Sequence, residues 1–299
     1  MKLLLANNQS EKFKVFHKEL QGEQPIYDYS GYDSIGFYFE KGVTKLFNTA
    51  TGRTTSDYEA VYINGYLSTP EIATTVAIVL DHNNIHYVDR ELSGALSLSK
   101  LSAYAKLAAA NVTIPRTFAG AARALSNMIE QGIVDLSGKF VLKRADADRG
   151  IDNFLFENFE EALGLLETQE PRSMWILQEF IPNDGFYRVS FYHDQVAFGI
   201  FRTLEKRTDG RKDRAHMFKP RGGRNASWFE PGELPDPLIA ESKRAVKAMN
   251  RQFAGVDVLY DAATKTACVL EVNYNPQLVT VETFKEPRLE AFLKAMREL

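Results

Sequence analysis

Short apolar runs and helical repeats alternate along the first 90 residues, which predicts an α/β beginning to the chain. Lys2–Ala6 is an apolar run of strand length, and Ser10 is placed to cap a helix that continues to about Leu20. Residues 27–57, rich in Tyr, Gly, Ser and Thr, indicate short strands. The other elements predicted here are a buried strand at Tyr58–Asn64, a helix from Pro70 to about Asp81 and a strand at Ile85–Val88.

The middle of the chain begins with a strong helix-forming run at Leu96–Ala110. Pro115 then forces an extended segment, so we place a domain boundary in this region and divide the chain into residues 1–94, 95–182 and 183–299. The further predicted elements of the second unit are helices at about 119–131 and 158–167 and strands at 140–144, 154–156 and 175–181.

The last third contains two predicted hairpins and two helices, which gives an α/β chain with α+β lobes. One hairpin joins residues 186–192 to 195–202. Asp236 as N-cap and Pro237 in the first turn open a helix that closes at Gly255, and another helix begins at about Pro287. One face of the first of these helices is predicted to hold Ile239, Val246, Met249 and Phe253.

The second hairpin joins Val256–Tyr260 to Ala267–Asn273 and contains two acids that a buried hairpin would normally lack. If Leu259 pairs with Val269, Asp257 lies opposite Glu271, with Asn273 on the same face. Two carboxylates and an amide oxygen are hard ligands that suit Mg²⁺. An alternative is that these acids are solvated or pair with Lys or Arg.

The opposite face of this hairpin is predicted to be apolar, so the hairpin should be buried on both sides. The residues assigned to that face are Val256, Val258, Tyr260, Cys268, Leu270 and Val272. Cys268 is the only cysteine, which excludes an intramolecular disulfide, and its place in an apolar strand favours a packed thiol over a nucleophile.

Other candidate residues for phosphate binding lie in the middle unit. Lys143 emerges from the apolar strand at 140–144, and the loop after it contains Gly150, whose turn can aim backbone N–H groups at phosphates. Pro182 ends the strand at 175–181 and marks a hinge between lobes, where backbone groups could contact an adenine ring.

A basic segment runs from Arg202 to Arg224, with nine Lys or Arg against three acids, a local charge of +6. It ends in Arg221-Gly222-Gly223-Arg224, where the glycines allow close approach of the backbone to a ligand. This charge predicts an anionic substrate. The alternative is a basic loop that is only solvated.

The histidines carry little chemistry in this sequence. His82 and His86 have the spacing of a helical metal pair, but the Asn-Asn between them breaks helices and favours a helix end followed by a strand. The order of the other histidines suggests no Ser/His/Asp or Cys/His arrangement.

The composition is that of an ordinary globular chain of 299 residues, 44% apolar and 25% charged. A net charge of -3 provides no general attraction to nucleic acid or to a membrane surface. The apolar run at the start is too short for a signal sequence, and Ile72–Leu80 is too short to span a bilayer. We therefore expect a cytoplasmic protein without nucleic-acid or membrane partners.

Several of these residues together, in order and spacing, resemble the ATP-grasp superfamily, and within it the RimK-type and glutathione synthetase-like carboxylate-amine ligases. The matching features are Lys100, Lys143, LQEFI at 177–181, Arg188, Arg202, RGG at 221–223 and the pairing of GVDVLYD with VLEVNYNP. The resemblance covers about residues 95–285. It implies an ATP-grasp fold after an α/β pre-ATP-grasp domain, with a small nucleotide-clamping subdomain at 95–182 and a C-terminal subdomain with the metal site.

The resemblance also implies roles for individual residues. Asp257, Glu271 and Asn273 would bind Mg²⁺, or Mn²⁺ in its place. Lys100 and Lys143 would contact the ATP phosphates. The remaining ATP contacts would come from Gln178, Glu179, Phe180, Ile181 and Asp184, largely through backbone groups around adenine. The residues facing the reacting groups and substrates would be Arg188, Arg202, Arg221, Gly222, Gly223 and Arg224, with Lys143, Arg202 and Arg221 as the catalytic set.

Three positions depart from the family pattern. Phe186 stands where an acid for the ribose hydroxyls is usual, and Asp184 is the nearby substitute. Phe218 or Lys219 replaces an expected Asn, and Gln277 replaces a glycine after the last proline.

The implied chemistry is ATP-dependent activation of a carboxylate as an acyl phosphate, followed by attack of an amine. The substrates would be an amino acid, a peptide or a protein terminus, one of them anionic, and a homo-oligomer is compatible with the sequence. Two alternatives stay open at this point: a nucleotide-binding protein that has lost turnover, and an ATP-grasp kinase that phosphorylates a small acceptor.

Overall fold

The computed structural model describes residues 1–6, 11–96, 99–145, 153–203, 226–274 and 285–299. These residues form four sheets, arranged in three groups of elements that follow one another along the chain. Several residues singled out in the sequence lie outside the described ranges: Ser10, Gly150, Phe218, Lys219, Arg221, Gly222, Gly223, Arg224 and Gln277.

A four-stranded parallel sheet, in the order β2-β1-β6-β7, is the centre of the first group. The elements of this group are β1 (Lys2–Ala6), α1 (Glu11–Gln21), β2 (Tyr27–Gly31), β3 (Ile35–Glu40), β4 (Val43–Asn48), β5 (Arg53–Thr54), β6 (Ala60–Ile63), α2 (Pro70–His82) and β7 (His86–Val88). Strands β3, β4 and β5 form a separate antiparallel sheet. The predicted α/β beginning is confirmed.

Helix α2 begins at Pro70, whose fixed backbone angle suits a first helical turn, and covers one face of the parallel sheet. It ends at His82, while His86 belongs to β7, so the two histidines lie on different elements. The Nε2 atom of His82 is 3.3 Å from the carbonyl oxygen of Gly42. The helical metal pair considered from the spacing is therefore not formed.

The second group is built on an antiparallel sheet in the order β10-β9-β11-β8. Its elements are α3 (Lys100–Ala109), β8 (Thr117–Ala121), α4 (Ala122–Glu130), β9 (Phe140–Arg144), β10 (Asn153–Phe156), α5 (Phe159–Glu167) and β11 (Met174–Glu179). Asn158 caps α5 by accepting a hydrogen bond from the Glu161 N–H at 3.0 Å.

The predicted helix at 119–131 is shorter than expected, because its first residues belong to a strand. Thr117–Ala121 pairs along its whole length with β11, and α4 begins only at Ala122. The alanines here favour a helix locally, but the hydrogen-bonded ladder with β11 decides their conformation.

The third group is an antiparallel sheet in the order β14-β13-β12-β15-β16, covered by a helix. Its elements are β12 (Gly185–Tyr192), β13 (Gln195–Thr203), β14 (Ala226–Phe229), α6 (Asp236–Met249), β15 (Phe253–Asp261), β16 (Thr266–Asn273) and α7 (Lys285–Glu298). The two predicted hairpins correspond to β12–β13 and β15–β16.

The ends of α6 differ from the prediction. Pro235 is the N-cap, and Asp236 is already the first helical residue. The helix ends at Met249 because Asn250 adopts a left-handed conformation with φ of 52°, which amide side chains tolerate. Phe253, predicted on the helix face, therefore begins β15 instead.

Two hydrophobic cores cross the predicted domain boundaries. Tyr104 and Leu107 of α3 pack with residues of α6, β15 and β16. Phe292 and Met296 of α7 pack under the parallel sheet of the first group, against Leu4 among others. The division at residues 94 and 182 stays a prediction, since these cores join the units that it separates.

Candidate active site

Asp257 and Glu271 lie directly opposite each other on β15 and β16, as the sequence predicted. Asn273 lies opposite Gly255, and its Nδ2 atom is 3.4 Å from Asp257 Oδ2 and 3.3 Å from the Gly255 carbonyl oxygen. The two carboxylates and the amide thus meet at one end of the hairpin.

A β-bulge lies next to this acid end. Leu259 is opposite Cys268, and Val258 is opposite Val269, so the predicted pairing of Leu259 with Val269 is wrong. The register shifts because Leu270 is an extra residue on β16, and this extra residue brings the two acids back into register. The predicted register therefore holds on the acid side of the bulge, where Asp257 is opposite Glu271, and fails on the turn side.

The bulge also changes which side chains share a face of the hairpin. The side chains that enter the core beneath the sheet include Val256, Val258, Val269 and Val272. Cys268 lies opposite Leu259 instead, so its predicted place on the Val256 face is wrong. It is nevertheless buried, and burial raises the pKa of its thiol to about 12, as befits a packed thiol.

Arg188 holds Asp257 in a buried ion pair with two hydrogen bonds. Its Nε donates to Asp257 Oδ1 and its Nη2 to Oδ2, both at 2.6 Å. The side chains are only 10% and 8% exposed, and the two residues are opposite each other on β12 and β15. The alternative that an acid of the hairpin pairs with arginine is thus realised for Asp257. Arg188, expected to face a substrate, contacts this acid.

Glu271 stands in a different electrostatic environment. Burial raises the pKa of its carboxyl and the charge of Asp257 raises it further, while Lys100, Arg188 and Lys143 act in the opposite direction. These cations come from α3, β9 and β12. Three elements that are distant in sequence therefore bring positive charge to one acid.

Lys143 is oriented by an amide and a phenol. Its Nζ donates to Gln178 Oε1 at 2.8 Å and to Tyr104 Oη at 2.9 Å. Tyr104 Oη in turn donates to the carbonyl oxygen of Leu270 at 2.7 Å. The predicted phosphate-binding lysine is thus connected to the bulge beside Glu271.

The segment predicted to hold adenine is already hydrogen-bonded in part. The Glu179 N–H donates to the Arg116 carbonyl at 3.0 Å, and the Phe180 N–H donates to the Lys139 carbonyl at 3.0 Å. The Glu179 carboxylate also accepts from the Arg116 N–H at 2.9 Å. These bonds extend the sheet beyond β11. The Glu179 and Phe180 N–H groups are therefore paired within the protein, and the contact of Glu179–Ile181 with adenine through backbone groups stays a prediction.

Two further residues of the predicted nucleotide pocket differ in exposure. Gln178 is buried, and its Nε2 donates to Thr117 Oγ1 at 2.8 Å, so its amide holds Lys143 rather than facing open space. Asp184 is exposed and lies immediately before β12. The next position requires glycine, because a Cβ atom at Gly185 would lie 2.3 Å from the Arg202 carbonyl oxygen.

Additional positive charge reaches the site from the other side. Arg202 on β13 lies opposite Phe186, and burial lowers the pKa of its guanidinium to about 10, with the charge of Arg188 as the next cause. Arg288 of α7 is buried, and its positive charge contributes to lowering the pKa of Arg202. Burial, and to a smaller extent the charge of Arg188, lower the pKa of Arg288 itself. Arg288 was not predicted from the sequence.

The donor set fits a magnesium ion that arrives with a nucleotide. Two carboxylates and one amide supply hard oxygen atoms at one end of the hairpin, and burial together with the charge of Asp257 raises the pKa of Glu271, an effect that a cation would offset. Asp257 Oδ1 keeps a second lone pair beside its bond to Arg188, while Oδ2 also accepts from Asn273 Nδ2 at 3.4 Å. Within the described ranges, no group of three or more His, Cys, Asp or Glu could hold a metal. This small donor set suits Mg²⁺, which takes further ligands from phosphate and water.

Sequence reasoning missed two more residues of the site. Tyr104 lies one helical turn after Lys100, and this spacing puts both on one face of α3, a signal that was available. Arg251 stands between α6 and β15, where its Nη1 donates to the Val272 carbonyl and its Nε to Glu91 Oε2 at 2.7 Å. Only the tertiary structure brings Arg251 and Glu91 together.

Comparisons with known proteins agree with this geometry. Solved structures of an ATP-grasp ligase superimpose on nearly the whole chain, which shows the ATP-grasp fold. Residues 97–291 match the RimK-like ATP-grasp domain. The chain therefore belongs to the RimK-like ATP-grasp family, whose members use ATP and Mg²⁺.

Three relatives illustrate the range of this similarity. A protein of Mannheimia succiniciproducens named "Probable alpha-L-glutamate ligase" is 27% identical over 239 residues, 79% of this chain and 75% of that protein. The ATP-grasp ligase PsnB, complexed with precursor peptide PsnA2 and AMPPNP, has a TM-score of 0.65 at 15% identity and covers 99% of this chain and 98% of its own. The VanG D-Ala:D-Ser ligase from Enterococcus faecalis has a TM-score of 0.60 at 13% identity, with coverage of 99% and 97%.

These findings confirm the family resemblance, the ATP-grasp fold and the class of enzyme, an ATP-grasp ligase, predicted from the sequence. Among the described helices, none has the length and apolar character needed to cross a membrane.

Proposed function

We propose that this chain forms an amide or peptide bond between a carboxylate and an amine at the expense of ATP. The γ-phosphoryl group of ATP is transferred to the carboxylate, which gives an acyl phosphate and ADP. The amine then attacks the acyl carbon, the C–O bond to phosphate breaks, and the amine loses a proton. The products are the amide, ADP and phosphate.

One observation carries this proposal, namely the convergence of charge on Glu271. Two neighbouring acids in a buried place are unfavourable unless a cation binds beside them. Lys100, Arg188 and Lys143 oppose the rise in its pKa from three separate elements. Acids for a divalent cation next to lysines for phosphate are what phosphoryl transfer requires, because its catalysis depends chiefly on alignment and charge neutralisation.

Separate residues of the site bind the phosphates and the metal ion. Lys143, held by Gln178 and Tyr104, and Lys100 at the start of α3 bind phosphate oxygens. Asp257 and Glu271, with Oδ1 of Asn273, hold Mg²⁺, or Mn²⁺ in its place. When bound, the metal ion neutralises phosphate charge during the transfer.

Arg188 acts mainly by orienting Asp257, through the two hydrogen bonds that fix its carboxylate. The adenine is held by the remaining backbone groups around Glu179–Ile181, and the exposed Asp184 is the nearest acid for the ribose hydroxyls. Arg221, Gly222, Gly223 and Arg224 stay predicted substrate contacts.

Three arginines near the acids of the hairpin support an anionic group on one substrate. Arg202 and Arg288 add positive charge beside Arg188, and Asp257 and Glu271 act against it. Guanidinium groups bind carboxylates with paired hydrogen bonds. An acidic amino acid, free or within a peptide, fits this chemistry and agrees with the glutamate ligase named among the relatives. A cytoplasmic location and a homo-oligomer remain compatible with this proposal.

A two-substrate screen tests the function. Purified chain, ATP and Mg²⁺ are combined with amino acids and peptides, singly and in pairs, and ADP is measured. We expect ADP release that requires both a carboxylate and an amine and is strongest with an acidic substrate. The Glu271→Gln variant is the matched blank. ADP release with a single acceptor would identify a kinase, and no release with any pair would favour a nucleotide-binding protein without turnover.

A further inference from the structure

Strand β16, which bears Glu271, is the outer strand of its sheet. It pairs with β15 on one side, and its other edge faces away from the sheet. An edge strand presents N–H and carbonyl groups that need other partners. The Val269 N–H finds one in the carbonyl oxygen of Thr113, at 2.8 Å.

The two carbonyl groups that flank Glu271 are both held by side chains from outside the sheet. Tyr104 Oη donates to the carbonyl oxygen of Leu270 at 2.7 Å. Arg251 Nη1 donates to the carbonyl oxygen of Val272. The peptide groups on either side of the acid are therefore fixed from two directions.

The first of these side chains belongs to the nucleotide side of the molecule. Tyr104 is buried on α3, and its hydroxyl accepts a hydrogen bond from Lys143 Nζ at 2.9 Å while it donates to the bulge. Gln178 shares the same lysine at 2.8 Å. The bulge is thus connected to the lysine of β9.

The second side chain is connected to the parallel sheet of the first group. Arg251 Nε donates to Glu91 Oε2 at 2.7 Å, and the two side chains are 2% and 0% exposed. Tyr66 Oη donates to the same carboxylate at 2.8 Å, and Lys106 Nζ to its other oxygen at 3.0 Å. Arg251 is therefore fixed by an acid that also accepts hydrogen bonds from Tyr66 and Lys106.

From this arrangement we infer that Tyr104 and Arg251 are a pair of positioning residues that hold the Glu271 segment in the geometry that binds the metal–nucleotide complex. This inference rests on the proposed function. Neither side chain is proposed as a metal ligand. Each acts through a backbone carbonyl, so that one connects Glu271 to the phosphate lysine and the other connects it to the N-terminal unit.

The physical reason is the weakness of the strand at this place. Leu270 is unpaired across the hairpin, which disrupts the ladder just before Glu271. Without the outer hydrogen bonds, the strand end would sample several positions, and the bound geometry would be only one of them. A fraction of competent molecules near one tenth would weaken binding about tenfold.

The test uses Tyr104→Phe, which removes only a hydroxyl, and Arg251→Lys, which keeps the charge but loses the forked geometry. Mn²⁺ binding is measured by the loss of the free-ion electron paramagnetic resonance signal, with AMPPNP present and no turnover. We expect roughly three- to tenfold weaker Mn²⁺ binding in each variant. Hydrogen exchange at residues 268–274 should become faster in both.

Two control variants match the chemistry of the changes. Tyr32→Phe removes another buried tyrosine hydroxyl, which donates to the Asn64 carbonyl oxygen at 2.7 Å in the first unit. Gln252→Ala removes an acceptor of the Arg90 N–H, beside Arg251 but away from β16. Both should lower stability while leaving Mn²⁺ affinity unchanged.

A second background separates Tyr104 from its effect on Lys143. In a Lys143→Met chain, Tyr104→Phe should still weaken Mn²⁺ binding, because the bond to Leu270 remains to be lost. If it has no further effect there, or if Arg251→Lys lowers only the melting temperature, the inference is wrong. Failure of the wild-type chain to bind Mn²⁺ with AMPPNP would instead overturn the proposed function, and this inference with it.

Discussion

Two buried arginine–carboxylate pairs in this molecule look alike locally and differ in their surroundings. Arg251 and Glu91 are joined at 2.7 Å, and Arg188 and Asp257 at 2.6 Å. Burial acts to raise the pKa of Glu91, but Arg251 and Lys106 outweigh it, so that its pKa lies below the ordinary value. Beside Asp257, in contrast, stands the second acid Glu271, with a raised pKa.

The surroundings of the two pairs indicate which pair is structural and which belongs to the candidate site. In the first pair, tyrosine and lysine complete the bonds of the acid, and the network connects two units of the fold. In the second, Arg188 bonds Asp257, and a second acid, Glu271, lies opposite Asp257 with cations from three elements around it. A buried charge is costly unless it is paired or hydrogen-bonded, so the two neighbouring acids of this cluster point to a ligand that brings positive charge.

The largest expected effect comes from neutralising the surplus acid. Glu271→Gln should reduce ADP formation about 1000-fold or more, because several kcal/mol of charge stabilisation are lost at about 1.4 kcal/mol per tenfold. Its stability should stay level or rise, because repulsion with Asp257 disappears. Steady-state ADP assays and urea unfolding measure the two quantities. Near-normal turnover at saturating Mg²⁺ would remove Glu271 from the metal site.

Asp257→Asn serves as the companion variant. It should also abolish turnover, but it leaves Arg188 buried without its countercharge and should therefore lose about 3 to 5 kcal/mol of stability. The structure makes Glu271→Gln the cleaner test, since only there does the fold stay intact.

The structural pair should behave in the opposite way. Glu91→Gln removes the charge that Arg251 and Lys106 share, so unfolding should require about 3 to 5 kcal/mol less. At saturating Mg²⁺, turnover per folded molecule should stay within about threefold of the wild type. Urea unfolding and active-site-normalised rates give both values. A loss of turnover as large as that of Glu271→Gln would erase the distinction between the two pairs.

Lys143→Met tests the phosphate side of the functional cluster. We expect weaker binding of ATP and slower phosphoryl transfer, by about 2 to 4 kcal/mol together, as for a donor placed at developing charge. Calorimetric titration with AMPPNP and single-turnover rates measure the two parts. Lys106→Met, which removes a lysine from the structural network, is the matched control and should change stability alone.

The smallest expected effect is a pH dependence outside both pairs. Burial raises the pKa of Asp89 to about 7, so its contribution to stability is present below about pH 4 and is lost as pH rises to about 7. Burial lowers the pKa of His17 to about 4, so its contribution is present above about pH 6.5 and is lost as pH falls. Between pH 4 and 6.5 the two slopes oppose each other.

Single variants should expose these slopes. As pH rises from 4 to 6.5, the stability of Asp89→Asn relative to the wild type should increase by about 1.4 kcal/mol per pH unit. The stability of His17→Gln relative to the wild type should decrease by about the same amount per pH unit. Urea unfolding at several pH values gives the curves. Parallel curves for all three chains would contradict the assignment of the two buried groups.

Much of the fold could be predicted from the sequence because its strands and helices have strong local signals. β1, β9 and the β15–β16 hairpin follow from apolar runs and turns, and Pro70 marks the beginning of α2. The start of α4 could not be found, because the alanines near it favour a helix and only pairing with β11 makes a strand there.

The site divides in the same manner. The pairing of Asp257 with Glu271 could be predicted from alternation along two strands, although the bulge that produces it could not. Arg188 was predicted as a substrate-facing residue, and its pairing with Asp257 depends on the register of β12 with β15. Arg251 and Arg288 act through contacts between distant segments, which no local pattern contains, whereas Tyr104 shares a helix face with Lys100.

Tracing oxygen atoms through the reaction tests the acyl phosphate mechanism most directly. With a substrate pair found by the ADP screen, the carboxylate substrate is labelled with ¹⁸O and the phosphate product is analysed by mass spectrometry. We predict ADP and a phosphate that carries one ¹⁸O atom, because the oxygen that bridges acyl carbon and phosphorus leaves with phosphate. Unlabelled phosphate, or AMP and pyrophosphate as products, would contradict activation of the carboxylate as an acyl phosphate.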